Sequence, residues 1–406
     1  MSVIRVAFFA DILIREFDGA SHTIFELTDR IDRDNFKFRF FCGTLPNHTM
    51  NHEIVKIPSL PIPFNKTYRI ALPAAARKKL LSSLDEFQPD ILHITSPSLL
   101  GFFAIRYAKA RNIPVISIYH THFISYLDYY ITKSKILKSV ISKMTLKLMQ
   151  KFYNKCDIIY VPTNVISIEL EKYGIRKQLL KIWPRAINKN VFHPGKSLSK
   201  EMRHVLDNDR PNILFVSRLV WEKNLKTLIR IYSKAMEADK EYNFIVAGDG
   251  VAMDDLKIAM PNAKFTGHLD RNKLAGLYAA SDVFVFPSVT ETYGNVVAEA
   301  MACGIPCVIA HGGGSASLIK NGVTGFLVNP DDASGYIAKI EIILNEPDLK
   351  SQFIQSGLRY TDQISWDSLA SQYFNDLKLL TSSQYVGEPL SQTGAIQPEY
   401  ILNYNS

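Results

Sequence analysis

Asp282-Val-Phe-Val-Phe-Pro-Ser-Val-Thr-Glu-Thr-Tyr-Gly-Asn-Val-Val-Ala-Glu-Ala-Met-Ala-Cys-Gly-Ile-Pro306 is the stretch whose reading decides the fold. Its β-branched, apolar start reads as a buried strand that Pro287-Ser288 stops. Asn295 to Cys303 then reads as a helix, closed by Gly304-Ile-Pro306. Glu291 therefore falls in the loop at the carboxyl end of a strand, with Gly294 where the next helix begins. Free backbone amides at such a helix start hold anions. Glu299 lies more than one turn into the helix, on a face that can reach the same crevice. Two carboxylates then flank one anion-binding turn.

The same strand-to-helix grammar runs outward in both directions. Val3 to Phe9, Phe36 to Phe41, Ile91 to Ile94, Val115 to Tyr119 and Ile158 to Val161 read as strands. Helical patterns lie between them at 21–31, 73–87, 98–110 and 164–173. After a polar stretch near 190–210 the alternation restarts, with strands at 212–216, 244–247, 264–266, 283–286, 307–310 and 325–328. This predicts an α/β chain of two doubly wound, Rossmann-like domains facing each other across a cleft, with ligands at the carboxyl ends of the strands. The expected boundaries are 1–195, 196–380 and an aperiodic tail at 381–406.

Length and composition agree with that division. The chain has 406 residues, 47% of them apolar, enough for two full cores. Its net charge of +8 is unevenly placed: residues 1–200 carry 30 Lys and Arg against 15 Asp and Glu, and the remainder carries 17 against 24. The first half is expected to face something anionic. Cys42, Cys156, Cys303 and Cys307 have neither disulfide-framework nor zinc-ligand spacing, so reduced thiols in the cytosol are expected. The N-terminus runs directly into a strand pattern, so no leader is expected, and no apolar run approaches the ~20 residues that span a bilayer.

The segment from Pro287 to Pro306 closely resembles the donor-site segment of retaining GT-B glycosyltransferases of family 4, and the resemblance spans roughly residues 1 to 380. It resembles in particular the mannosyltransferase and sulfoquinovosyl-transferase-like glycolipid branch, as does Pro58-Ser-Leu-Pro-Ile-Pro63. The resemblance implies that Glu291 bonds hydroxyls of the transferred sugar and Glu299 the nucleotide ribose. Tyr293, Gly294, Asn295 and Val296 would line the donor site.

Departure of a diphosphate must be stabilised by a metal or by fixed cations. In Ser217-Arg-Leu-Val-Trp-Glu-Lys-Asn-Leu225, Arg218 and Lys223 lie in a strand-to-helix loop, the right place for phosphate. The segment resembles the Arg/Lys diphosphate clamp of the family. The alternative, an Asp-x-Asp metal motif, occurs only as Asp32-Arg-Asp34 on a polar turn, and no metal or other cofactor is expected. Gly267 resembles the position whose backbone borders the base. Gly248-Asp-Gly250 reads as an ordinary turn. Gly312-Gly-Gly314 permits close backbone approach to a ligand, but Ala316-Ser317 replaces the acidic residue relatives carry. Arg185-Ala-Ile-Asn188 likewise departs from the Gly and Asp found there in relatives.

In the first half, Asp18-Gly19-Ala20 keeps one of the two glycines that meet the donor phosphate in relatives. His120, in Tyr119-His-Thr-His-Phe, fits a polar group bordering the reacting sugar, whereas His122 stands evenly between a site role and a structural one. Ile131 to Lys155 contains no acid, and Lys143, Lys147, Lys151 and Lys155 recur every four residues beside Ile136, Val140, Met144, Leu148 and Phe152. Such a basic amphipathic helix either lies on anionic lipid or packs its apolar stripe on its own core.

The expectation is a metal-independent, retaining hexosyltransferase using a nucleotide diphosphate sugar (GDP-mannose or a UDP-hexose). Its acceptor would be a membrane glycolipid or a lipid-linked or other saccharide, and it would sit peripherally on the cytoplasmic face. A front-face mechanism, with the leaving phosphate oxygen taking the acceptor proton, follows from the resemblance. The alternatives are a sugar phosphorylase or epimerase on the same scaffold, or a nucleic-acid-binding module. Without aromatics interleaved with the basic stripe, no nucleic-acid partner is expected.

Overall fold

Nine residues of alternating bulk and no Gly or Pro, Ile4–Ile12, form strand β1, and Val6 to Ala10 along it are buried. A strand covered on both faces reads as such a continuous apolar run. This is a computed structural model, and it describes residues 3–15, 19–47, 50–62, 65–120, 135–206 and 209–382.

The first unit contains the described residues up to Pro184 together with the helix Trp366–Leu380. After β1 come α1 (Gly19–Thr28), β2 (Phe36–Thr44), β3 (Glu53–Lys56), β4 (Ser59–Ile62), β5 (Asn65–Ala71), α2 (Arg77–Phe87), β6 (Ile91–Ile94) and α3 (Leu99–Ala110). They are followed by β7 (Val115–Ile118), α4 (Lys135–Tyr153), β8 (Ile158–Val161), α5 (Asn164–Lys172) and β9 (Leu180–Ile182). Seven strands pair in parallel in the order β3-β2-β1-β6-β7-β8-β9. The order reverses between β1 and β6, which is where such sheets bind ligands. The Pro-rich segment expected as a signature folds as the first strand of an antiparallel hairpin, β4 with β5. Asp11 at the end of β1 pins that hairpin, accepting from the Ala71 amide at 3.0 Å and from Ser96 Oγ at 3.1 Å.

The second unit spans Arg185–Ser365 among the described residues. Its elements are β10 (Asn212–Val216), α6 (Leu225–Glu237), β11 (Asn243–Ala247), α7 (Met253–Ala259), β12 (Lys264–Gly267), α8 (Arg271–Ala279), β13 (Val283–Phe286), α9 (Asn295–Ala302), β14 (Cys307–Ala310) and β15 (Gly325–Val328). Helices α10 (Ala333–Asn345) and α11 (Pro347–Asp362) follow. The sheet order is β12-β11-β10-β13-β14-β15, the doubly wound arrangement with its switch point between β10 and β13. Both central strands are sealed: all four residues of β13 are 0% exposed.

The compact units differ from the expected domains at two places. The units divide at Pro184 and Arg185, ahead of 195, because Arg185 to Asn188 already packs with the second unit. Helix α12 (Trp366–Leu380), expected in the second domain, belongs to the first. Trp183 Nε1 donates to the Leu369 carbonyl at 3.0 Å, His93 Nδ1 pairs with Tyr373 Oη at 2.8 Å, and the Phe36 and Phe374 ring centroids lie 4.9 Å apart. Of the expected tail, residues 383–406 lie outside the described residues.

Candidate active site

Lys223 ends the one-turn 3-10 helix Trp221–Lys223 between β10 and α6. Its side chain is only 5% exposed. The ammonium donates to Glu291 Oε1 at 2.5 Å and to Thr290 Oγ1 at 3.4 Å. Glu291 and Thr290 follow β13, so the pair bridges the two strands that flank the switch point. The next residue, Asn224, takes a left-handed backbone (φ 54°), and its side-chain amide donates to the carbonyls of Pro287 at 3.1 Å and Pro330 at 2.9 Å. One amide thus ties the loops after β13 and β15 to the start of α6. Nothing in the sequence reading singled out Asn224 or Thr290. An Asn placed where a 3-10 turn meets a helix was the available signal, since Asn tolerates that backbone.

Arg218 is half exposed, and its Nη2 lies 3.5 Å from Glu222 Oε1, whose side chain is 3% exposed. Thr290 Oγ1 donates to the Glu222 carbonyl at 3.3 Å. Arginine, glutamate, lysine and glutamate therefore alternate along one short string from Arg218 to Glu291.

The turn at Gly312–Gly314 closes on the same loop. The Gly314 amide donates to the Glu291 carbonyl at 2.7 Å. A Cβ on Gly314 would stand 1.9 Å from the Thr292 carbonyl oxygen, so only glycine fits. Gly294, at φ 92°, starts α9 with the same tightness: its missing Cβ would meet Ser315 Cβ at 2.6 Å. The first amides of α9 have no intrahelical acceptor, and two buried side-chain oxygens beside them, Asn295 Oδ1 and Ser315 Oγ, have no hydrogen-bond partner within the protein, as is also true of Ser317 Oγ on the turn that follows Gly314. Buried oxygens of that kind need a ligand or water to satisfy them.

Glu299 stands on α9 and accepts a long bond, 3.4 Å, from Tyr278 Oη on α8. Burial pushes its carboxyl up to about 7, against the smaller lowering effects of Arg271 and Tyr278. Tyr293 is 1% exposed, and its phenol bonds Tyr360 and the Arg185 backbone. Any ligand contact at Tyr293 is therefore through its backbone. Val296 is partly exposed on the first turn of α9. Gly267 ends β12 at φ 68° with open space where a Cβ would be, and its carbonyl accepts from the Gly248 amide at 2.9 Å. The structure thus brings Lys223, Glu291, Gly294 and Gly314 together, with Arg218 joined through Glu222.

In the first unit, Gly19 opens α1 just after β1, and His120 is half-buried past the end of β7. His122 lies outside the described residues. Asp32 is a surface turn, its carboxylate accepting from Asn35 Nδ2 at 2.6 Å and from the Asp34 amide at 3.1 Å. Among the described residues no group of three or more His, Cys, Asp or Glu stands together as a metal site. On α4, Lys143, Lys147 and Lys151 are exposed. So are Val140, Met144 and Leu148, at 49%, 59% and 50%. The core contact is made instead by Met149, Phe152 and Tyr153. The packing reading fails for Val140, Met144 and Leu148 and holds for Phe152, because the helix turns a different face inward; the Ile136 side chain lies outside the described residues. No described helix is long and apolar enough to cross a membrane.

Two parallel doubly wound sheets, the second with cations and carboxylates gathered at its switch point, are the two Rossmann-like halves of a GT-B fold. The chain belongs to the family 4, group 1 glycosyltransferases: the model for Glycosyltransferase Family 4 matches residues 17–191 and that for Glycosyl transferases group 1 matches residues 199–359. It is similar to the sulfoquinovosyl transferase of Arabidopsis thaliana, 30% identical over 82% of this chain, a match that spans 64% of that protein's length. The alpha-monoglucosyldiacylglycerol synthase of Streptococcus pneumoniae is 26% identical over 98% of this chain and 93% of its own. Sucrose-phosphate synthase from Thermosynechococcus elongatus shares the fold, with a TM-score of 0.73 at 19% identity over 93% of this chain and 99% of that one.

Proposed function

We propose that the protein is a retaining, metal-independent hexosyltransferase that moves a hexose from a nucleotide diphosphate sugar to a membrane glycolipid or lipid-linked saccharide. The carrying observation is the single locus in the second unit where Lys223, Glu291, the start of α9 and two unpartnered buried oxygens converge. Those groups suit a ligand that is anionic at one end and rich in hydroxyls at the other. Arg218, Lys223 and the α9 amides would stabilise the charge growing on the departing diphosphate. Glu291 would hold the hexose and Glu299 the ribose, while Gly267 and the backbone of Tyr293 to Val296 would complete the donor site. The first unit would bind the acceptor, with Gly19 near the donor phosphate and His120 steadying the oxocarbenium-like transition state. The leaving phosphate oxygen would take the acceptor proton on the same face.

The exposed stripe of Val140, Met144 and Leu148 beside three lysines supports a peripheral seat on an anionic, cytoplasmic membrane face. That placement fits a lipid acceptor, as the name of the diacylglycerol-glucosylating relative also suggests. A thermal-shift screen against UDP- and GDP-hexoses in EDTA tests the donor assignment. A ligand at 100 times its Kd should stabilise by about 2.7 kcal/mol, and no shift with any of them contradicts it.

A further inference from the structure

We propose that the Lys223–Glu291 ion pair is an exchangeable latch: the intact nucleotide diphosphate hexose opens it, and it re-forms once the hexose has left, favouring release of the spent nucleoside diphosphate. The inference rests on the donor assignment above and adds to it a coupling between the two halves of the ligand.

The two side chains had been assigned to different parts of the donor, the ammonium to phosphate and the carboxylate to sugar hydroxyls. Yet they are each other's partner at 2.5 Å, with the Lys223 side chain 5% exposed and that of Glu291 23% exposed. A charge this enclosed cannot be left without a counter-charge or hydrogen bonds at small cost. The backbones that carry them are pinned as well. Gly314 holds the Glu291 carbonyl at 2.7 Å, Thr290 Oγ1 holds the Glu222 carbonyl at 3.3 Å, and Asn224 Nδ2 holds the Pro287 carbonyl at 3.1 Å. These hydrogen bonds hold both loops in place, so partner exchange falls to the side chains.

An intact donor offers both replacements at once. Its diphosphate supplies negative charge to Lys223, and its hexose hydroxyls donate to Glu291. A nucleoside diphosphate supplies only the first. If its phosphate draws Lys223 away, Glu291 loses its cation with nothing in return. If the pair holds, carboxylate and phosphate compete for one ammonium. Either way the site discriminates against the product without any contact to the missing sugar, a form of discrimination by unpaired groups.

Calorimetric titration of UDP, GDP and their hexoses into wild type, Glu291→Gln and Glu291→Ala tests the latch. Glu291→Gln keeps the shape and removes the charge, and the alanine variant guards against a local effect of the amide. Both variants should bind the nucleoside diphosphate more tightly than wild type, by about fivefold or more, while losing affinity for the nucleotide hexose. The nucleoside diphosphate should also raise their melting temperatures by more than it raises that of wild type. Binding of the nucleoside diphosphate that is unchanged or weaker in both variants overturns the latch and leaves the donor assignment standing. If wild type binds none of these nucleotides, the donor assignment falls and the latch with it.

Discussion

The Lys181 ammonium lies 2.8 Å from both carboxylate oxygens of Asp376, and Tyr160 Oη donates to the same carboxylate at 2.6 Å. Lys181 is on β9, Tyr160 on β8 and Asp376 on α12, so one carboxylate fastens the last described helix to the edge of the first sheet. The side chains of the pair are 11% and 4% exposed. Truncating Asp376 to alanine leaves a buried ammonium without its counter-charge and should cost about 3–5 kcal/mol. Replacing both partners, Lys181→Met with Asp376→Leu, should recover most of that loss. Urea unfolding of the three proteins measures it, and equal stability of Asp376→Ala and wild type would show that the pair does not hold α12.

That contact also marks where the sequence stops being readable. Strands such as β13 and β14 announce themselves because they are covered on both faces and carry continuous apolar runs. The ends of β10 and β13 were legible for the same reason, and with them the loops holding Arg218, Lys223 and Glu291. What no local pattern carries is pairing over long separations. Asp376 reaches a lysine 195 positions away, a pairing that local pattern does not carry and that groups α12 with the first unit. Lys223 and Glu291 were each legible as site residues, but their mutual contact across 68 positions was not. The hairpin of β4 and β5 was hidden by Pro58, Pro61 and Pro63, since proline demotes a run to an edge strand or a loop. On α4 the period showed two stripes, and only packing revealed that a different face, with Met149, Phe152 and Tyr153, turns inward.

Glu299 should make nucleotide binding pH-dependent. Its folded-state carboxyl, raised to about 7 by burial, favours the folded state at acid pH, and that contribution is lost as pH rises from the ordinary carboxylate range through about 7. A ribose that needs the carboxylate must therefore displace a proton below neutrality. Nucleotide affinity should fall as pH drops from 8 to 6, approaching about tenfold per unit below the pKa. Glu299→Gln should bind more weakly and lose that slope. A slope that survives in Glu299→Gln assigns the titration to another group.

The stripe on α4 should seat the first unit on acidic lipid. Wild-type protein should co-sediment with vesicles containing anionic lipid and not with neutral ones, at about 1 kcal/mol per lysine near the surface. Salt should weaken the association as the Debye length contracts below about 8 Å. Changing Lys143, Lys147 and Lys151 together to Glu should abolish it without unfolding the chain, because all three are exposed. Transfer to a water-soluble acceptor should be unaffected, and transfer to a membrane-embedded acceptor should drop. Undiminished vesicle binding by the triple variant removes the helix from the membrane.

The clamp should show itself in rate. Lys223→Ala should lower kcat by roughly 10²–10³, the usual effect of removing one group that stabilises developing charge. Glu291→Ala should lower kcat as well as weaken donor binding, whereas Glu299→Ala should raise mainly the donor KM. Near-wild-type constants for all three would detach these residues from the reaction.

The most direct measurement follows the anomeric carbon itself. An α-linked nucleotide diphosphate hexose is incubated with a glycolipid acceptor in excess EDTA, and the product is examined by proton NMR while released nucleoside diphosphate is counted. An α-linked product and one nucleoside diphosphate per hexose transferred are expected, with no loss of rate in the chelator. A β-linked product, or activity that vanishes with EDTA and returns only with a divalent cation, would contradict retaining, metal-independent transfer.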